Sequence, residues 1–217
     1  MVCRVIDHRW PGARTSAVAR TRLIDDRAGS AIAEGVQQIV LLGGGFDSRA
    51  YRLEGGERLA FFDVDHPSTQ ARKRQVVRDV IGQPSSRVRF VSTGVTNYLT
   101  DRAVDHTLRW CARSVPPSQI AFTYVHRAVL NEPAAFYGTA RLFATLEASG
   151  ERWTFGLEPS RVAAYLGERG YRLDEDRGVA EYRARYFGSS SAAMRGYEFY
   201  RVVSAHVVGP HGDASPA

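Results

Sequence analysis

The stretch LLGGGFDSRAYRL, residues 41–53, places three consecutive glycines between a short apolar run and a helix-forming segment. The apolar run begins at Gln37 (QQIVLLGG) and has the length and aliphatic composition of a buried strand. Glycines at the carboxyl end of such a strand let the backbone turn sharply, and they let a ligand approach without meeting Cβ atoms. The stretch therefore predicts a strand–turn–helix unit with a ligand-binding turn.

An acidic pair follows the glycines along the chain. The next apolar run, LAFFDVD, reaches Asp63 18 residues after Gly45, and Asp65 follows. An acid at about this distance typically hydrogen-bonds a ribose hydroxyl. The turn is not a dinucleotide fingerprint, because Ser48 stands at the last glycine position, and it is not a P-loop, because no lysine follows it. The combination indicates a nucleoside-containing cofactor, and the alternative is a purely structural tight turn.

Apolar runs and helix-period segments alternate along the rest of the chain. Strands are predicted at residues 37–44, 59–65, 87–92 and 119–126, and helices at 17–34, 68–80, 102–114, 134–149 and 160–170. Two late strands are predicted in YRLDEDRGVAEYRARYFG and YEFYRVVSAHVV, with the aromatic segments 182–187 and 197–200 packed as strands. The alternation predicts a doubly wound α/β fold with a mostly parallel sheet. We expect one domain over residues 1–208 and a disordered tail at 209–217.

The composition is that of an ordinary globular protein, with 44% hydrophobic and 24% charged residues. Cys3 and Cys111 are too few for a disulfide framework and lack zinc-site spacing. The net charge of +6 does not indicate nucleic-acid binding, because the basic residues are scattered among acids and all but Lys73 are arginine. No apolar stretch reaches membrane-spanning length. We expect a cytoplasmic protein with a small-molecule substrate, no nucleic-acid or membrane partner, and a homodimer as the candidate assembly.

Together with FFDVDHP (residues 61–67), the glycine stretch resembles the leucine carboxyl methyltransferase-like group of S-adenosylmethionine-dependent methyltransferases, in its actinobacterial branch. The segments ARTRLIDD (19–26), GVTNYLT (94–100) and EYRARYFG (181–188) fit the same branch. The resemblance implies a class I methyltransferase fold of the Rossmann-like type, S-adenosyl-L-methionine as the cofactor, and methyl transfer to oxygen, commonly a carboxylate.

The resemblance also implies roles for single residues. The implied cofactor-binding residues are Arg20, Gly43, Gly44, Gly45, Asp47 and Asp65. Arg20 matches the family arginine that pairs with the methionine carboxylate of the cofactor, a task that suits a guanidinium fork. Asp65 matches the acid on the ribose hydroxyls, and Asp63 is its weaker substitute.

The middle of the chain departs from the family pattern. VRFV is followed almost directly by GVTNYL, so that a strand–helix step with the adenine-side Asp motif is missing, and Thr93 stands where the family has a glutamate. The loss of a central strand would close or remodel the sheet. The alternative function is therefore a methyltransferase-derived enzyme without methyl transfer, such as a cofactor-independent cyclase or rearrangement enzyme for a natural product. A non-catalytic module is the third reading.

Three side chains are candidates for the chemistry. Methyl transfer to a carboxylate needs mainly alignment, whereas transfer to a hydroxyl would profit from a base such as His126, at the end of the fourth strand. Tyr124 and Tyr98 are candidates to line an acceptor pocket. The alternative is that all three serve packing and local hydrogen bonds. The run Asp63-Val64-Asp65-His66 superficially resembles a metal cluster but would need outside ligands, and we expect no metal.

Overall fold

A computed structural model of the chain describes residues 8, 10–82, 88–92 and 98–208, with the backbone alone for 89–92. The strands are β1 Gln38–Leu42, β2 Ala60–Asp65, β3 Val88–Ser92, β4 Gln119–Val125, β5 Tyr171–Gly178 and β6 Tyr200–Val207. The helices are α1 Ala13–Ala33, α2 Arg49–Arg52, α3 Pro67–Val80, α4 Asp101–Cys111, α5 Ala128–Asn131, α6 Thr139–Ala148, α7 Val162–Gly167 and α8 Val179–Phe187. Short 3₁₀ turns lie at Gly56–Arg58, Pro133–Ala135, Pro159–Arg161 and Gly188–Ala193.

The chain divides into two compact units. We call Asp25–Leu99 the glycine-turn unit, and we call Met1–Ile24 with Thr100–Ala217 the aromatic unit. The division falls inside α1. Each unit contains a three-stranded sheet of its own. The prediction of one domain over residues 1–208 stays a prediction.

The sheet of the glycine-turn unit is parallel, in the order β1-β2-β3. Its register pairs Leu42 of β1 with Val64 of β2, so that the carboxyl ends of the two strands lie side by side. The residues that follow, Gly43 and Asp65, therefore reach the same edge of the sheet. This register is what assembles the candidate site.

Strand β1 forms as predicted, but it is less buried than predicted. Ile39 and Leu41 pack against the cluster of Leu59, Phe61 and Val88. Val40 points to the opposite face and is 46% exposed. Within the described residues, only one face of this strand is covered by the core of its unit.

The sheet of the aromatic unit is antiparallel, in the order β4-β6-β5. Its buried aromatic cluster contains Trp153, Tyr197 and Phe199 together with Val125 and Val129. A mixed helix–strand architecture with a parallel sheet is therefore confirmed, with the antiparallel pairing confined to this second unit.

The predicted strand at residues 182–187 is wrong, because this segment belongs to helix α8. Glu181 explains the difference, since its Oε2 accepts the Gly178 N–H at 2.6 Å and caps the first turn of the helix. Val179 and Tyr182, three residues apart, are then buried on one helical face. The second predicted aromatic strand begins only at Tyr200.

Several predictions concern residues outside the described part of the chain. These are the tail at 209–217 and the region of Thr93, where the family pattern is interrupted. Among the helices at residues 8–82 and 98–208, none combines the length and the hydropathy that a membrane crossing requires.

Candidate functional site

The glycine turn is held against the end of β2 by backbone hydrogen bonds. The N–H groups of Gly43 and Gly44 both donate to the carbonyl of Val64, at 2.7 and 3.1 Å. Gly43 has φ +67° and Gly45 has φ +47°, in the left-handed region that favours glycine. The Gly45 N–H donates to Oδ2 of Asp65 at 2.5 Å. The turn and the predicted ribose acid therefore form one structural element.

Asp65 is nearly buried, at 2% exposure, and both of its oxygens are engaged. Its Oδ1 accepts the His66 N–H at 2.6 Å, and its Oδ2 accepts the Gly45 N–H. A carboxylate offers about four lone-pair sites, so two remain for hydroxyl donors. The acid keeps acceptor capacity for hydroxyl groups, but at 2% exposure it presents little surface to them, and its ribose role stays a prediction.

Asp63 lies below the turn in a buried ion pair. Its exposure is 0%, and its Oδ2 pairs with the ammonium of Lys73, which is 3% exposed. Burial raises the pKa of Asp63 although Lys73 opposes this shift. The backbone carbonyl of Asp63 accepts from Gln70 Nε2 at 2.6 Å. With no exposed surface, Asp63 is poorly placed to serve as the substitute ribose acid.

Four charged residues fix the far side of the turn. Oδ1 of Asp47 accepts the Arg49 N–H at 2.8 Å, and Oδ2 pairs with the Arg49 guanidinium. The same guanidinium donates from Nε to Asp25 at 2.6 Å. Arg52 donates to both oxygens of Asp25, at 2.8 and 2.9 Å. Asp47 is therefore engaged by Arg49 and orients the turn.

These contacts form an Asp25–Arg49 bridge that links the segments ARTRLIDD and GGGFDSRAYRL. Asp25 of the first segment accepts hydrogen bonds from Arg49 and Arg52 of the second. Our sequence reasoning missed all three residues. The acids of one segment and the arginines of the other were the only available signal. Burial would raise the pKa of Asp25, but the hydrogen bonds from Arg52 and Arg49 outweigh it and lower that pKa.

Arg20 and Tyr124 lie in the aromatic unit. The Arg20 guanidinium carbon stands 4.9 Å from the ring centroid of Tyr200. Tyr124 is 1% exposed, and its hydroxyl donates to Asp176 at 2.8 Å. Burial and the Asp176 carboxylate raise the pKa of Tyr124. The cofactor role of Arg20 and the acceptor-lining role of Tyr124 stay predictions.

His126 also lies in the aromatic unit, directly after β4. Its Nδ1 accepts the Ala128 N–H at 3.1 Å, so the neutral ring carries its proton on Nε2. Nε2 lies 3.5 Å from Oε1 of Glu158. In this tautomer the ring is a hydrogen-bond donor at Nε2, and its only basic nitrogen, Nδ1, already accepts the Ala128 N–H. The base role of His126 stays a prediction.

Tyr98 belongs to the glycine-turn unit and is 43% exposed. The structure thus brings Gly43, Gly44, Gly45, Asp47 and Asp65 together at one turn, and the three candidates for the chemistry are divided between the units. Among the described residues, no group of three or more His, Cys, Asp or Glu side chains is arranged to hold a metal ion.

Residues 5–93 match the family model described as leucine carboxyl methyltransferase. The chain is similar to this family. The matched range contains the glycine turn, Asp65 and the Asp25–Arg49 bridge, and the predicted resemblance is confirmed. A protein of Mycobacterium sp. (strain JLS), provisionally named an S-adenosyl-L-methionine-dependent methyltransferase, is 28% identical over 195 residues. That match covers 72% of this chain and 61% of the relative.

Two solved structures resemble the chain in fold. A provisionally named methyltransferase from Thermobifida fusca YX aligns with a TM-score of 0.66 at 12% identity and covers 95% of this chain and 86% of its own. An O-methyltransferase family protein from Burkholderia thailandensis aligns with a TM-score of 0.57 at 12% identity, over 88% of this chain and 57% of its own. The predicted class I methyltransferase fold is confirmed. The chain spans less than two thirds of the length of the first relatives that it matches.

Proposed function

We propose that the protein is an S-adenosyl-L-methionine-dependent O-methyltransferase that acts on a carboxylate or hydroxyl of a small, natural-product-type molecule. One observation carries the proposal. The Gly45 N–H and the Asp65 carboxylate meet at 2.5 Å where β1 and β2 end side by side. Open glycine backbone beside a fixed acid is the arrangement that recognises a ribose in open α/β sheets.

The residues of the turn have separate tasks in this proposal. Gly43 and Gly45 keep the backbone free of side chains where the nucleoside approaches, and Asp65 accepts hydrogen bonds from the ribose hydroxyls. Arg20 binds the carboxylate of the methionine part. When bound, the cofactor supplies an activated methyl group on its sulfonium.

The tautomer of His126 favours a carboxylate acceptor over a hydroxyl. A carboxylate is already ionised and has to be aligned with the methyl group, and an N–H donor such as Nε2 suits that task. As a base for a hydroxyl, the ring would have to release the Ala128 amide first. The similarity to an O-methyltransferase family protein supports oxygen as the acceptor atom.

A second candidate is a methyltransferase-derived protein that no longer transfers methyl groups, either as a cofactor-independent enzyme or as a non-catalytic module. The near-complete burial of Asp65 favours it, because a carboxylate at 2% exposure presents little surface to a ligand. Turnover by rigorously cofactor-free protein is the result that this candidate requires. In both cases we propose that the protein acts in the cytoplasm. We also propose that it is a homodimer, a state that sedimentation analysis would show.

Calorimetric titration with S-adenosylmethionine and S-adenosylhomocysteine tests the proposal. We expect micromolar binding, about −8 kcal/mol. Asp65→Asn should bind roughly tenfold to a hundredfold more weakly, because a hydrogen bond to a charged group contributes about 1.5–3 kcal/mol. Asp105→Asn is the control, since Asp105 pairs with Arg109 and Arg169 of the aromatic unit. Absence of wild-type binding at millimolar ligand would refute the cofactor, and wild-type affinity in Asp65→Asn would refute the role of Asp65.

The acceptor class can be tested once binding is seen. Transfer of a labelled methyl group should be measured with paired panels of small carboxylic acids and the corresponding alcohols. We expect product from acids. Product from alcohols alone would contradict the carboxylate preference and would reinstate His126 as the base.

A further inference from the structure

The three glycines of the turn are required for different reasons. Gly43 and Gly45 have positive φ, so their backbone conformation favours glycine. Gly44 is not among the positive-φ glycines. A Cβ at Gly44 would instead collide with Oδ1 of Asp63. The middle glycine is therefore explained by a single neighbouring carboxylate.

That carboxylate oxygen is otherwise unexplained. Oδ1 of Asp63 is buried and has no hydrogen-bond partner among the described residues, whereas Oδ2 pairs with Lys73. A buried, unsatisfied carboxylate oxygen is costly, and each such group in a native structure needs a reason. Contact with the turn supplies one, because the planar carboxylate fills the space directly beneath Gly44.

We propose that Asp63 is a positioning residue, held by Lys73, whose carboxylate supports the glycine turn from below at Gly44 and so sets the turn against the cofactor. The inference rests on the proposed function and extends it. Asp65 makes the ligand contact, and Asp63 acts only through Gly44. Removal of the support would let the turn settle away from the ligand while the fold of the unit remains.

Thermal stability tests the contact without any ligand. We expect Gly44→Ala to lower the Tm by roughly 3–10 °C, because overpacking strains a closed site. The same substitution at Gly29, inside α1 with nothing within 4 Å of the added Cβ, should leave the Tm unchanged or raise it. In an Asp63→Ala/Lys73→Met background, the decrease in Tm caused by Gly44→Ala should vanish, because the obstructing carboxylate is gone and no charge is left unpaired.

Binding of S-adenosylhomocysteine tests the positioning role in a matched pair of folded variants. Asp63→Asn/Lys73→Met keeps a planar group under Gly44, whereas Asp63→Ala/Lys73→Met removes it, and neither retains the charges. We expect the Asn variant to bind within about threefold of wild type and the Ala variant at least about tenfold more weakly. A merely structural role would lower the Tm of both variants and leave both affinities at the wild-type value.

Wild-type affinity in the Ala variant, or an undiminished Gly44→Ala loss in the Ala background, would overturn the proposal. If the wild-type protein binds no S-adenosylhomocysteine, the proposed function fails, and with it the cofactor-directed role of Asp63. The Tm series then still shows whether Asp63 supports the turn.

Discussion

The two units of the molecule bury different kinds of side chain. Among its described residues, the glycine-turn unit buries four charged ones around its turn: Arg49, Asp63, Asp65 and Lys73. The aromatic unit buries a cluster centred on Phe199, whose ring lies 4.9–6.1 Å from four other rings. Aromatic packing contributes stability directly, whereas buried charges at best offset their own desolvation. The aromatic cluster is therefore explained by stability, and the charged turn is consistent with the proposed cofactor site.

The aromatic unit contains partly buried charge, and its pair of Asp176 and Arg201 is well satisfied. Asp176 accepts from the Tyr124 hydroxyl at 2.8 Å and from Arg201 Nε at 3.0 Å. Among the described residues, both units also contain buried side-chain atoms without hydrogen-bond partners. In the glycine-turn unit they include Oδ1 of Asp63 and the Tyr51 hydroxyl, and in the aromatic unit they include Nε of Arg183 and the Ser204 hydroxyl. A satisfied network rigidifies a sheet, whereas each unsatisfied buried group needs an explanation of its own.

The largest expected effect is in the aromatic cluster. Phe199→Ala should lower the free energy of unfolding by about 4 kcal/mol, because the side chain is 0% exposed and its removal leaves a cavity. Phe46→Ala, in the glycine turn, is the matched control at 61% exposure and should cost less than about 0.5 kcal/mol. Urea unfolding measures both. Equal losses of unfolding free energy in the two variants would contradict the expected difference in stability between the aromatic cluster and the glycine turn.

The second-largest loss of stability is expected for Lys73→Met, and the size of this loss should depend on pH. It leaves Asp63 buried without its cation, at a cost of about 3 kcal/mol at pH 8. Burial already raises the pKa of Asp63, and loss of Lys73 raises it further. The contribution of such a carboxyl is fully present below its unfolded pKa and is lost as pH rises through the folded pKa. The variant should therefore be closer to wild type at pH 5 than at pH 8, and a difference independent of pH would contradict the ion pair.

The loss of stability in Asp25→Asn should be smaller and should depend on pH in the opposite direction. The arginine hydrogen bonds lower the pKa of Asp25 below its ordinary value of 3.8, so its contribution is present above that value and is lost as pH falls through the folded pKa. We expect a loss of about 1–2 kcal/mol at pH 7 that shrinks on acidification below about pH 4. Unfolding curves at pH 7 and pH 3 measure it. An equal loss at both values would mean that Asp25 is not the partner of Arg49 and Arg52.

The smallest expected effect is at Tyr124→Phe. Loss of the hydrogen bond to Asp176 should cost about 1 kcal/mol, because Arg201 remains to satisfy the carboxylate. Tyr98→Phe, with its ring 43% exposed, should leave stability unchanged. A Tyr124→Phe variant as stable as wild type would show that the buried hydroxyl contributes nothing to the sheet and would strengthen its assignment to the acceptor.

The turn and its flanking elements could be predicted because their signals are local. The predicted strand at 59–65 is Ala60–Asp65, and the predicted helix at 68–80 is Pro67–Val80. His66 begins this helix, with Nδ1 accepting the Ser68 N–H at 3.3 Å, and Pro67 follows at the first helical position. Glycine conformation, apolar runs and helix starts all act within a few residues of chain.

The rest depends on contacts between distant residues. The Asp25–Arg49 pair spans 24 residues, and the collision that requires glycine at position 44 comes from Asp63 of the next strand. The aromatic content of residues 182–187 favoured a strand, but the Glu181 cap and the burial of Tyr182 on a helical face outweighed that local preference. Tertiary contacts of this kind cannot be predicted from a single amino-acid sequence.

Hydrogen–deuterium exchange with and without saturating S-adenosylhomocysteine tests whether the glycine turn and Asp65 hold the nucleoside. We expect slower exchange in the two peptides that cover residues 41–53 and 59–66, where the ligand would contact the backbone. Protection confined to residues 100–208, or no protection at a concentration where calorimetry detects binding, would contradict it.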